Sequence, residues 1–259
     1  MIGRAMSDVM PTTVPDFYQT QAGAYCAALL RERLQWFWPE MKHQKVLGLG
    51  YATPCLGAWQ GRGALCFTAL LPECGGAVGG TAFGGPELAV VAEAAHLPFQ
   101  DEAFDRIVVM HAFRSEAQAI TVLRGAGRVL RDDGRMILIG PSIFAGRLRQ
   151  CKTPFAHDSA FAPTTFRRVL AQAMLQAERR DEALFFPAQW GGGSVRRGRA
   201  GDIAGKVLAP GLGSIALVEV VKNIYAPRPL PITPWRRLWR RQPLMAERHA
   251  EHPAKRKQS

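Results

Sequence analysis

Apolar positions along the chain switch between two spacings, and the alternation predicts an α/β protein. Asp16–Trp38 places Phe17, Leu29, Leu30, Leu34 and Phe37 at helical spacing, which predicts an entry helix that Pro39 ends. Short apolar runs follow at Lys45–Gly50, Ala64–Leu71, Glu87–Val91 and Arg106–Met110, each the length of a buried strand. Ser115–Leu130 returns to the helical period through Ile120, Leu123, Gly127 and Leu130. The turn Asp132-Asp133-Gly134 then feeds a strand at Arg135–Gly140. A helix at Pro163–Gln176, a strand around Glu182–Phe186 and a final strand at Ser214–Tyr225 complete the pattern. Helices and strands in alternation give a mostly parallel sheet. Cys74–Gly85 holds six glycines in twelve residues and reads as a flexible loop or a shortened crossover.

Composition narrows the class. A chain of 259 residues, 47% hydrophobic and 21% charged, has enough apolar matter for one large domain or two small ones. No apolar run approaches the ~18 residues that cross a bilayer, and Met1–Thr13 lacks the basic-then-apolar order of a signal peptide. Five cysteines without a CxxC pair, and an odd number of them, fit a cytoplasmic protein with reduced thiols. The six histidines are scattered, so no structural metal is expected.

Charge divides the chain into a body, Met1–Tyr225, and a tail, Ala226–Ser259. The tail carries nine Lys/Arg and two Asp/Glu, +7 of the whole chain's +12. Six prolines in it forbid continuous helix or central strand, so it reads as extended and largely disordered. Trp235–Arg241 could press aromatics onto an acidic partner, RNA or a membrane surface; the simpler reading is a solubilising tail.

Two segments carry candidate chemistry. In Val46–Pro54 the first strand runs into Gly48, Gly50, Ala52 and Pro54, with Thr53 where a dinucleotide fingerprint needs its third glycine. Leu70 and Leu71 stand where that fingerprint needs a ribose-binding acid, which disfavours NAD or FAD. In Glu93–Arg106 an acid ends the third strand, and a Leu-Pro-Phe turn leads through Asp101 to Phe104-Asp105 and the next strand, which His111 follows.

That second segment resembles the pattern D-A-x-x-LPF-x-D-x-x-FD of class I S-adenosylmethionine-dependent methyltransferases, in the type 11 branch. Gly127–Met136 is similar to the helix-turn-strand that follows in the same branch, with Asp132-Asp133 in place of Pro-Gly. Val46–Thr53, Thr153-Pro154-Phe155 and Lys222–Ala226 also resemble a bacterial group of methyltransferases of unknown substrate that shares the loss of the first-motif acid, here Gly48.

The resemblance implies a Rossmann-like, doubly wound, seven-stranded, mostly parallel sheet closed by a C-terminal antiparallel hairpin strand. It implies S-adenosylmethionine as cofactor. Gly48, Gly50 and Ala52 would line its methionine and ribose part, Glu93 and the Ala94 amide its adenine, and Met110 and His111 the surroundings of the sulfonium. Glu73 is the stand-in for the absent ribose acid, and Phe17 and Tyr18 could cover the cofactor. His111, His157 and Asp158 are the acid/base candidates. Each has a plainer alternative: Glu93 a solvated carboxylate, His111 a buried, satisfied histidine, and Asp101 and Asp105 braces of their turn. A methyltransferase with an unidentified acceptor and a non-catalytic relative acting as a binding or regulatory subunit both fit.

Overall fold

Seven strands hydrogen-bond into one sheet: β1 (Lys45–Gly50), β2 (Leu65–Leu70), β3 (Leu88–Val91), β4 (Phe104–Met110), β5 (Leu130–Pro141), β6 (Leu175–Ala183) and β7 (Ile215–Lys222). Their order is β3-β2-β1-β4-β5-β7-β6. The pairs from β3 through β5 are parallel, and β7 runs antiparallel between β5 and β6. This is the Rossmann-like, seven-stranded methyltransferase architecture that the sequence implies. The structure, a computed structural model, describes residues 13–72, 88–143, 153–185, 195–208 and 212–223. The glycine-rich segment Cys74–Gly85, Glu73 and the tail Ala226–Ser259 lie outside the described residues.

The two faces of the sheet bury separate cores. On one face α1 (Val14–Gln19), α2 (Gln21–Phe37) and α3 (Thr53–Leu56) cover Val46, Val108, Ile137 and Leu217. On the other, α4 (Glu116–Val129) and α5 (Pro163–Gln172) cover Leu47, Leu49, Ile107, Val109 and Leu138. Alternate residues of the central strands thus point to opposite faces and both are apolar, which is why those strands read as unbroken hydrophobic runs. A last helix, α6 (Val195–Leu208), precedes β7.

Five elements differ from the sequence expectation. The single entry helix over 16–38 is two helices, broken at Thr20, whose ψ of 160° is extended. The Thr20 hydroxyl donates to the Phe17 carbonyl at 2.6 Å and accepts from the Gly23 amide at 3.1 Å, ending one helix and capping the next. The start is earlier too, because Thr13 and Asp16 form a capping box. The expected turn at Asp132-Asp133-Gly134 is a bulge inside β5: Leu130 pairs with Phe104, but Arg135 already pairs with Arg106. Gly134 has no positive φ; glycine is favoured there because a Cβ would lie 2.8 Å from the Arg131 carbonyl oxygen.

The other three differences lie near the C-terminal end. β6 occupies Leu175–Ala183 rather than 182–186, and α5 stops at Gln172. LQAERRDEA is too polar to read as a strand, but its charges are paired: Asp181 with Lys206 at 2.6 Å, and Glu182 with Arg180 at 3.1 Å. Helix α6, with three glycines among its fourteen residues, has no counterpart in the apolar pattern.

Candidate functional site

The strand order reverses between β1 and β4, so their carboxyl ends diverge into the crevice where open α/β sheets take ligands. Gly50 pairs with Met110 at that point. Its φ is +81°, and a Cβ there would overlap the Met110 carbonyl oxygen and sit 3.2 Å from Ala112 Cβ. That carbonyl accepts from the Tyr51 amide at 2.9 Å, which fixes the turn. Glycine is therefore required at 50 by conformation and by space together.

Gly48 is crowded differently. A Cβ at 48 would meet Leu56 Cδ1 at 2.9 Å and Ala52 Cβ at 3.2 Å. Leu56 of α3, fully buried, thus occupies space that an acidic side chain at 48 would need. Ala52 is fully buried in the same turn, and Pro54 lies in the first turn of α3.

Glu93 follows β3, and its side chain is 71% exposed, with His96 Nδ1 3.3 Å from its carboxylate. Ala94 beside it is buried, and its carbonyl oxygen lies where a Cβ at Gly125 of α4 would be. The Leu-Pro-Phe turn is held from α4 as well. Arg128 donates to the carbonyls of Leu97 (2.8 Å) and Phe99 (3.0 Å) and to Asp101 Oδ1 at 2.6 Å. Asp105 accepts from the Lys45 amide at 2.8 Å and pairs with Arg131 at 3.4 Å. Both aspartates brace the frame.

His111 leaves β4 with φ +55°, a left-handed conformation that costs a non-glycine residue ~1–2 kcal/mol. Its ring is anchored at both nitrogens. Nδ1 lies 2.8 Å from Asp158 Oδ2, and Nε2 lies 2.9 Å from the Tyr18 hydroxyl. A proton on Nδ1 satisfies the Asp158 carboxylate and leaves Nε2 to accept from Tyr18. The three groups come from the segment after η1 (Pro154–Ala156), from the end of β4 and from α1. His111 is 3% exposed and Tyr18 1%. Phe155 packs on the imidazole with ring centroids 4.3 Å apart, and Tyr51 lies 5.7 Å from the Tyr18 ring. His157, next to Asp158, is exposed and stands outside this group.

Burial, and after it the nearby Cys26, Cys55 and Asp158, holds the Tyr18 phenol well above its ordinary range, so it remains a neutral donor. Burial likewise pushes the Cys55 thiol from an ordinary 9.0 up to about 12. Cys55 packs its sulfur 3.6 Å from Met110 Sδ under the same site. A group raised on folding keeps its stability contribution below its unfolded value and loses it as pH climbs through the folded value. Urea midpoints are therefore expected to fall from about pH 9 towards about 12, and Cys55→Ala should flatten that fall. An unchanged alkaline slope in Cys55→Ala would show that the thiol ionises freely in the folded protein.

The sequence names His111, Asp158 and Tyr18 separately and the structure brings them together. Their separations of 47 and 93 residues leave no local signal of the contact. Phe155, within the Thr153-Pro154-Phe155 motif, has no polar atom to mark it and is legible only as a buried aromatic.

A family model described as a methyltransferase domain matches residues 79–138. No curated protein matches the sequence. Among solved structures, an S-adenosylmethionine-dependent methyltransferase from Thermotoga maritima is 14% identical, with a TM-score of 0.54 over 78% of this chain and 91% of its own. A Pyrococcus horikoshii protein is 15% identical, with a TM-score of 0.54 over 83% and 96%. A Haloferax volcanii protein solved with the Trm112 methyltransferase activator is 16% identical, with a TM-score of 0.52 over 78% and 93%. At these identities the likeness is one of fold.

Proposed function

We propose that this chain is a class I S-adenosylmethionine-dependent methyltransferase, which binds S-adenosylmethionine at the carboxyl ends of β1 and β4 and donates its methyl group to an acceptor; its fold and the methyltransferase-domain match over residues 79–138 support the reading. The observation that carries the reading is Gly50, which keeps backbone free of side chain at the point where the strand order reverses. The residues present fit the cofactor. Backbone at Gly50 and Ala52 would face its methionine and ribose part. The open Glu93 carboxylate would accept from the adenine amino group, and the Ala94 amide would lie beside the ring. Bound there, the cofactor supplies an electrophilic methyl on a sulfonium. The chain's own task is to hold the acceptor in line and keep water out, which is where most of the rate gain in such a displacement arises.

Isothermal titration with S-adenosylhomocysteine tests the reading. Micromolar binding is expected, and Glu93→Ala should weaken it by ~1–3 kcal/mol, the usual loss for a missing hydrogen-bond partner. Unchanged affinity would remove Glu93 from the site.

Leu56 against Gly48, and the packing of Tyr18 on Tyr51 beside the same turn, favour a second reading, in which the fold serves as a binding or regulatory subunit. The Haloferax volcanii neighbour, solved with an activator, supports a partner-dependent member of this fold. Absence of heat at millimolar ligand, followed by capture of a partner that restores binding, would select that reading.

A further inference from the structure

We propose that the acceptor is an aromatic hydroxyl, a phenol, which binds by taking the place of the Tyr18 hydroxyl on His111; this rests on the methyltransferase reading above. The Tyr18 ring already shows such a site occupied. A phenolic O–H points at His111 Nε2 from 2.9 Å, inside walls made by Tyr51 and Phe155. Tyr18 sits on α1, a six-residue helix joined to α2 through the single extended residue Thr20. Swinging α1 outward at Thr20 would carry Tyr18 off His111 and break the 2.6 Å hydrogen bond from the Thr20 hydroxyl to the Phe17 carbonyl, while the Thr20 cap on the Gly23 amide of α2 can stay.

The chemistry selects the class of acceptor. A carboxylate is ionised at neutral pH, and a neutral amine attacks with its lone pair, so neither needs a base when the new bond forms. A phenol, with an ordinary pKa of ~10, is protonated at neutral pH and gains from a base placed on its oxygen. His111 Nε2 is that base. Asp158 is a positioning residue, since its carboxylate on Nδ1 fixes the tautomer and balances the imidazolium that forms. The acceptor's proton passes to Nε2, its oxygen bonds to the donated methyl carbon, and the electron pair of the broken carbon–sulfur bond stays on sulfur. Charge is conserved, moving from the sulfonium to the imidazolium.

The test uses the protein without cofactor first. Phenol should displace Tyr18 and shift the imidazole nitrogen resonances of His111, whereas anisole, which has no proton to donate, should not. Tyr18→Phe removes the internal competitor and should tighten phenol binding about tenfold, the value of one such hydrogen bond. With S-adenosylmethionine added, phenols should be methylated and anilines and benzoates should not. Asp158→Asn should lower kcat ~10²–10⁴-fold with KM for phenol little changed. Unchanged His111 resonances at saturating phenol, equal binding of anisole, or transfer to anilines or benzoates in place of phenols would each overturn the proposal. If phenol moves His111 but S-adenosylhomocysteine does not bind, the methyltransferase reading falls while the phenol site stands. Binding of S-adenosylhomocysteine without any response to phenol is the reverse case.

Discussion

Gly50→Ala is expected to destabilise the protein by about 2–5 kcal/mol, from a left-handed conformation forced on alanine and a Cβ driven into backbone. The obstacle is the Met110 carbonyl oxygen, which cannot rotate away because it accepts the Tyr51 amide and belongs to a strand paired on both sides. Gly48→Ala is the control. Its obstacle is the end of the Leu56 side chain at 2.9 Å, at a backbone conformation that alanine can adopt, so its loss should stay nearer 1 kcal/mol. Urea unfolding of the two variants beside the wild type checks the difference. Equal midpoints for Gly50→Ala and wild type would mean that β1 leaves the sheet by another path than the one described. In whatever fraction of Gly50→Ala folds, affinity for S-adenosylhomocysteine should fall as well, since the turn can relax only by moving away from β4 into the crevice.

The contrast between these glycines shows what a sequence can and cannot carry. The strand Lys45–Gly50 is legible to the residue, because a strand buried on both faces must be apolar throughout. The same holds for most of β4 and for α4, whose Ser115 cap is a local signal. β6 is not legible in this way. It is an edge strand several of whose charges are satisfied by partners on other elements, Lys206 and Arg33 for Asp181 and Glu219 for Arg179, and no period of two survives in its sequence. At the site the same division holds. Gly50, Met110 and His111 lie on one continuous frame and could be placed from motif spacing. The joining of Tyr18, His111 and Asp158 depends on how α1 folds back over β4, which pairwise spacing cannot express. Thr20 is the residue that decides it, and one extended residue in a helical pattern leaves little trace.

Glu219→Ala is the other substitution with a large expected loss, about 2–4 kcal/mol, and it acts away from the crevice. Glu219 of β7 is fully buried, accepts from Trp38 Nε1 at 2.8 Å, and has Arg135 and Arg179 at 3.3 and 3.2 Å. Removing one partner of a buried ionic group typically costs ~3–5 kcal/mol. The two arginine side chains are 37% and 43% exposed and can turn to water, which lowers the figure. Trp38 cannot, because it is buried at the C-cap of α2 with its ring 5.5 Å from that of Trp59, so its N–H would be left without an acceptor. Burial, and after it the Arg135 charge, already holds the Arg106 guanidinium below its ordinary value, so loss of the Glu219 carboxylate leaves three arginines facing one another. Glu219→Gln keeps an acceptor for Trp38 and loses only the charge, and should cost about half as much. Arg106 and Arg135 open the regular pairing of β4 with β5, and with Glu219 they line a cleft of about 480 Å³ on the amino side of the sheet. The folded Glu219→Ala protein should therefore bind S-adenosylhomocysteine as the wild type does. A tenfold weaker affinity with an unchanged urea midpoint would show instead that this network supports the crevice through β4 rather than anchoring α2 to β7.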